Sequence, residues 1–280
     1  MGYRSLLVPI DPGPQCTART RFAIRLARDF GAHLSGIACT GLVELPGITS
    51  GASALADLAA MAWDELRGRA ERATSALEKE CQAAGFNDVD AFVCEGEPSA
   101  ALLHHAHAHD LSVLSQADPA QPGHAAAQHF VEQVVLYSPR PTLLLPHAGR
   151  FDGHCDTVMV AWDDSREAAR AVSDALPMLR RASRVHVVTW KENGIYQGMP
   201  RPAKLDSVGV WLERHGVHAE LHSETTSDRI ADAMLSLASD VGADLIVMGA
   251  YGHARWAERI VGGATRGLLG AMTVPVLMSH

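Results

Sequence analysis

The sequence predicts an α/β protein built as two tandem halves, each a five-stranded parallel sheet covered by helices. Two observations carry the prediction. Apolar runs of strand length alternate with longer amphipathic segments along the whole chain, and the alternation starts afresh in mid-sequence.

In the first half the strand-length runs are SLLVPI (5–10), HLSGIAC (33–39), VDAFVC (89–94), LSVLS (111–115) and TLLLP (142–146). In the second they are TVMVAW (157–162), RVHVVTW (184–190), VHAELH (217–222), DLIVMG (244–249) and VPVLMS (274–279). Helical stretches such as 18–31, 55–85, 167–182 and 228–243 separate them, with the apolar spacing of one buried face. The repeat has a register. Asp110-Leu111 opens one fourth strand and Asp244-Leu245 the other, and Pro141 and Pro275 precede the two fifth strands at the same offset. The first strands end at Asp11 and Asp163; their larger offset fits an extra segment, GLVELPGITSGASALAD, after the second strand of half one. The boundary falls near HAGRFDGHC, giving domains 1–148 and 153–280.

Composition narrows the function classes. Hydrophobic residues make up 47% and charged residues 20%, which supplies real cores and argues against disorder. With 24 basic against 32 acidic side chains the net charge is −8, no signature of a nucleic-acid or anionic-membrane partner. Cys16, Cys39, Cys81, Cys94 and Cys155 form no CxxC pair and read as reduced packing residues of a cytoplasmic protein. The opening apolar stretch is too short for a signal peptide, and no run approaches the roughly 20 residues of a membrane span.

Open α/β sheets bind ligands beyond the carboxyl ends of their strands. In half two that edge carries Asp163 and Asp164 after strand one, residues 188–190 after strand two, and Gly249 to Gly252 after strand four. Glycines at a strand-to-helix junction let backbone N–H groups approach a phosphate. The competing reading is two tight turns and a close helix contact.

The spacing Gly249-x2-Gly252-x9-Gly262, together with MVAWDDS at the opening strand and VLMSH at the closing one, resembles the universal stress protein family, and the resemblance covers both halves. It implies adenine-nucleotide-α-hydrolase-like domains of strand order 3-2-1-4-5, whose last strands pair within the chain; a homodimer is also compatible. It further implies a stress-response module that binds ATP or another adenine nucleotide, with magnesium as a companion ion. Carried over by position, Asp163 resembles the adenosine-binding aspartate and Val188 the second-strand residue beside the adenine. Gly249, Gly252 and Gly262 resemble the phosphate-loop glycines, and Thr265 a phosphate-side hydroxyl. Gly263 departs from the pattern, standing where ATP-binding members place Ser or Thr. His253, Arg255, Arg259 and Arg266 add positive charge nearby. In half one the equivalent positions are Ser115, Asp118, Gln128 and His129, so only Asp11 survives and the phosphate site is expected to be lost.

Other constellations are weaker. His104, His105, His107 and His109 invite a metal reading, but on a helix they fall on two faces, and a solvated helix terminus is expected instead. Asp163-Asp164 resembles a magnesium pair, while Asp164 or Ser165 also suits capping of the next helix. Nothing nominates a general base or a nucleophile, so a catalytic role extends at most to slow ATP hydrolysis. Two further readings stand beside ATP binding: a nucleotide-free tandem protein acting through protein–protein contacts, and an adenylate-forming enzyme.

Overall fold

The computed structural model of the chain describes residues 2–41, 52–149, 151, 155–192, 205–252 and 263–280. The elements in order are β1 (Ser5–Pro9), α1 (Cys16–Phe30), β2 (His33–Cys39), α2 (Ala52–Ala84), β3 (Val89–Cys94), α3 (Pro98–Ala106), β4 (Leu111–Ser115), α4 (His124–Tyr137) and β5 (Thr142–Leu145). Then come β6 (Thr157–Ala161), α5 (Arg166–Leu179), β7 (Arg184–Glu192), α6 (Leu205–Arg214), β8 (Glu220–Thr226), α7 (Ile230–Asp240), β9 (Leu245–Gly249), α8 (Gly263–Ala271) and β10 (Val276–Ser279).

The chain divides into two compact units, Tyr3–Leu114 and Ser115–His280. The α/β class and the dominance of parallel pairing hold in both. The strands, however, do not sort into two five-stranded sheets. The first unit orders its strands β3-β2-β1-β4, all parallel, and the second orders six as β5-β10-β9-β6-β7-β8. The physical cause is β5. Its residues Thr142 to Leu145 are all buried, and it lies antiparallel to β10 through Leu144↔Val276, Leu143↔Leu277 and Thr142↔Met278. The pairing satisfies the backbone hydrogen bonds along that edge of β5, and its partner β10 is equally buried from Val276 to Ser279.

Strands β1, β4, β6 and β9 are nearly continuous buried runs; Leu6, Leu7, Val8, Leu245, Ile246 and Val247 have no exposed surface. The helices end where local chemistry stops them. Gly31 caps α1 at φ 59°, and Glu97 caps the start of α3 by accepting from the N–H groups of Ser99 and Ala100. The aspartates that mark the repeat do the same work in each unit. Asp110 accepts from the N–H groups of Arg4 (2.7 Å) and Ser5 (3.1 Å), and Asp244 from those of Asp156 (2.9 Å) and Thr157 (3.2 Å). Each carboxylate therefore ties the entrance of the fourth strand of its repeat to the entrance of the first.

Two sequence-based boundaries move. β7 runs on to Glu192, and β8 starts at Glu220 rather than at Val217. β8 is a polar terminal strand, ELHSETT, whose only buried residue is Thr226, so apolar content does not mark its limits.

Candidate functional site

The carboxyl ends of β6, β7 and β9 meet in the second unit. After β6 the Trp162 N–H continues the ladder to the Val188 carbonyl (2.8 Å). The chain then turns sharply: Asp163 accepts from the Ser165 N–H (3.1 Å), Asp164 takes φ 61°, and the Ser165 hydroxyl caps α5 by accepting from the Ala168 N–H (3.0 Å). Such an Asp–Ser pair is an ordinary way of satisfying the orphan N–H groups of a helix start. Of the two capping candidates, Ser165 is the cap.

The chain leaving β9 passes over this helix start. A Cβ on Gly249 would sit 2.5 Å from the Ala168 backbone N and 2.7 Å from the Glu167 carbonyl carbon. The glycine is thus required by the protein's own backbone, whatever ligand approaches. At Gly252 the crowding is milder, 3.2 Å to Glu167 Oε2 and 3.4 Å to Ser165 Oγ. Between them Tyr251 adopts φ 58°, and its N–H donates to the buried Thr265 hydroxyl (3.2 Å) on α8.

Charge at this junction is set by Glu167, which is 4% exposed and paired with Arg166. Burial opposes its ionisation; the Arg166 guanidinium, with help from its own backbone N–H and His280, outweighs that and holds the carboxyl below its ordinary range. The site accordingly holds an ionised carboxylate beside the glycine turn. Burial, then the Glu132 carboxylate, push the Tyr251 hydroxyl up to about 12, so it stays protonated, and its oxygen has no hydrogen-bond partner among the described residues. The indole N–H of Trp162 is likewise buried and unpartnered among them. Glu167, Tyr251 and Trp162 were not singled out by sequence. Their signal was faint: Tyr251 is the second variable position inside Gly-x2-Gly, and Glu167 follows the cap by two residues.

Of the predicted residues, Asp163, Gly249, Gly252 and Thr265 come together around the start of α5, and Gly263 opens α8. Val188 has no exposed side-chain surface, and its carbonyl is taken by Trp162, so it stands in the ladder rather than at an open edge. His253 and Gly262, with Arg255 and Arg259, lie outside the described residues. In the first unit Asp11 makes the same turn, accepting from the Gly13 N–H (2.6 Å), but Arg19 occupies its other oxygen; Arg19 is buried and also donates to the Pro9 carbonyl (2.9 Å). At the positions equivalent to Gly262 and Gly263, Gln128 and His129 are interior residues of α4, with Gln128 bonded to Glu132 (3.0 Å). Two of the four histidines near α3 act locally: ring nitrogens of His107 and His109 bond the Leu103 (3.0 Å) and His105 (2.7 Å) carbonyls at the helix end. All five cysteines are free. No described helix is long and apolar enough to cross a membrane.

The model of the Universal stress protein family matches residues 2–115 and 154–280. Among solved structures, a universal stress protein from Archaeoglobus fulgidus is 17% identical, with a TM-score of 0.76 over 98% of this chain and 95% of that one. A functionally unknown protein from Pseudomonas aeruginosa is 15% identical, with a TM-score of 0.60 over 99% and 92%. A universal stress protein solved in complex with cAMP is 17% identical and aligns with 53% of this chain and 100% of its own, at a TM-score of 0.37. The curated proteins include no match. The structural likenesses show the fold; the family match, made twice and spanning most of the chain, shows that the protein belongs to the universal stress protein family.

Proposed function

We propose that the chain is a nucleotide-responsive stress module that binds one adenine nucleotide, ATP foremost, in the half spanning 153–280, while the half spanning 1–148 keeps the fold without the phosphate site. The observation that supports this reading best is one linked cluster. Asp163, Ser165, Gly249 and Gly252 converge on the start of α5, at the sheet edge where α/β folds receive ligands. Asp163 is placed to accept from a ribose or adenine donor, and the glycine loop running on to Gly262 and Gly263 supplies N–H groups for phosphates. Thr265 holds the loop through Tyr251 and keeps its own hydroxyl proton to donate. Magnesium would neutralise the phosphates beside the Glu167 carboxylate. We assign no catalytic residue; the role is binding and response in the cytoplasm.

A second reading has its own observations. Gly249 is explained by the α5 backbone alone, Gly263 lacks the hydroxyl of ATP-binding members, and Glu167 places negative charge beside Gly252. On that reading the protein is nucleotide-free and works through its surface. Mass spectrometry of small molecules released by denaturing the purified protein separates the two. If the site works, free ATP at about 100 times its dissociation constant stabilises the fold by about 2.7 kcal/mol, a melting shift of roughly 5–10 °C. Gly252→Asp, which copies Asp118, abolishes the shift, and Gly263→Ser enlarges it. Two sites per chain by calorimetry, or normal binding by Gly252→Asp, refutes the assignment.

A further inference from the structure

We propose that His186, Glu220 and His222 form a binding site for a divalent transition metal, with zinc as the best fit, at the β7–β8 edge of the second unit. Strand register creates the cluster. His186 on β7 is paired directly with Glu220 on β8, and Val188 with His222. Side chains two apart on a strand share a face, so Glu220 and His222 stand side by side with His186 across from them. The donor atoms converge: His186 Nδ1 lies 3.2 Å from His222 Nε2 and 3.3 Å from Glu220 Oε2, and His222 Nε2 lies 3.8 Å from Glu220 Oε2.

Those separations suit one ion. Tetrahedral zinc with bonds of about 2.0–2.1 Å places its ligand atoms roughly 3.3 Å from one another. Two neutral imidazoles and one carboxylate make a donor set of charge −1, a combination suited to zinc and its neighbours rather than to calcium or magnesium. The arrangement is also unusual for a sheet interior. His186 is 6% exposed, and its Nε2 has no hydrogen-bond partner among the described residues. Burying an imidazole there is costly, and the polar contacts given to it run to Glu220 and His222. His222 and Glu220 are open to solvent on their outer side, at 34% and 66% exposure, which leaves an entry path and a fourth position for water. Among the described residues no other three metal-ligating side chains converge in this way. A bound ion would tie the polar strand β8 to β7 and so couple metal binding to the stability of this edge. The site stands apart from the nucleotide reading and does not depend on it.

The test uses the full chain, stripped of metal and titrated with Co(II) as a spectroscopic substitute for zinc. Wild type should bind one ion with the visible absorption of a tetrahedral centre, and zinc should displace it and raise the melting temperature. Glu220→Gln and His222→Ala, both at exposed positions and expected to fold, should each weaken binding by more than the 10- to 100-fold seen when an outer-shell partner is lost, and should lose the tetrahedral spectrum. A variant carrying His104→Ala and His107→Ala should bind as wild type does. A wild type that binds no Co(II), an unchanged spectrum in either Glu220→Gln or His222→Ala, or loss of binding only in the His104/His107 variant overturns the proposal.

Discussion

Gly249→Ala tests whether the glycine at the end of β9 is there for the protein or for a ligand. The added Cβ would lie 2.5 Å from the Ala168 backbone N, 2.7 Å from the Glu167 carbonyl carbon and 2.9 Å from the Glu167 Cβ. Unstrained carbon contacts need about 3.5–4.0 Å, so backbone must retreat by about 1 Å. It has little freedom to do so. Ala168 is 1% exposed, its N–H is held by the Ser165 cap, and Ala171 and Val172 behind it are buried against the sheet. Overpacking of this kind costs about 2–3 kcal/mol, which for a body of this size lowers the melting temperature by roughly 4–12 °C. Two companions give the scale. Gly270→Ala places its methyl in open space on α8 and should raise stability by about 0.5–1 kcal/mol, the usual gain in a helix. Gly252→Ala meets a Glu167 carboxylate oxygen at 3.2 Å and the Ser165 side chain at 3.4 Å and beyond, with no backbone in the way, so it should melt within about 0.5 kcal/mol of wild type. Thermal melts without nucleotide read all three. A Gly249→Ala protein that melts with wild type refutes the packing argument and returns Gly249 to the ligand. Since Gly252→Ala leaves the fold intact, any loss of nucleotide binding it causes reports on ligand approach alone.

Three further outcomes are expected. Gln116→Ala should cost about 2–3 kcal/mol in chemical denaturation, because the buried amide donates to the Leu269 carbonyl (2.8 Å) and accepts from the His147 N–H (3.0 Å); a loss below about 0.5 kcal/mol would show that water replaces these bonds. Asp244→Ala removes the acceptor for the Asp156 and Thr157 N–H groups at the entrance of β6 and should cost about 1–3 kcal/mol; faster amide exchange at Thr157 is its local signature, and unchanged exchange there refutes the role. The Asp88 hydrogen bond raises the pKa of His33, against partial burial and with support from Asp90, so this ion pair stabilises the fold most below about pH 6.5 and the contribution is lost as pH rises through the raised folded value; a wild type–His33→Gln difference in denaturation midpoint that does not shrink with rising pH contradicts it.

How far the sequence could be read depended on whether a feature is local. Strands buried on both faces announce themselves as apolar runs, so LLV at 6–8 and LIVM at 245–248 were plain. Asp110 and Asp244 marked the repeat because the same backbone N–H groups need the same carboxylate in both copies. A cap at Asp164 or Ser165 was readable, since capping is decided within four residues, and the structure selects Ser165. The pairing of β5 with β10 was not readable from the residues themselves and came only as what the resemblance implies. It joins positions 132 to 136 residues apart, and both strands are wholly buried, so composition selects no partner.

The glycine motif shows the limit most sharply. Its spacing is as consistent with a phosphate cradle as with a tight crossing over a helix, because both ask for backbone without a Cβ. The two demands divide the motif between them. Gly249 meets helix backbone at 2.5 Å and is fixed by packing, whereas Gly252 meets only side-chain atoms of Glu167 and Ser165, none nearer than 3.2 Å. A ligand-bearing site should therefore be sought where packing leaves a glycine unexplained, at Gly252 and beyond it along the loop. The histidines teach the converse. Four of them crowded into 104–109 are conspicuous in sequence, yet His107 and His109 bond helix carbonyls, while His186 and His222, 36 residues apart, are brought to 3.2 Å by strand register that composition does not reveal. Proximity in sequence made the conspicuous cluster; proximity in the sheet makes the one whose donors converge.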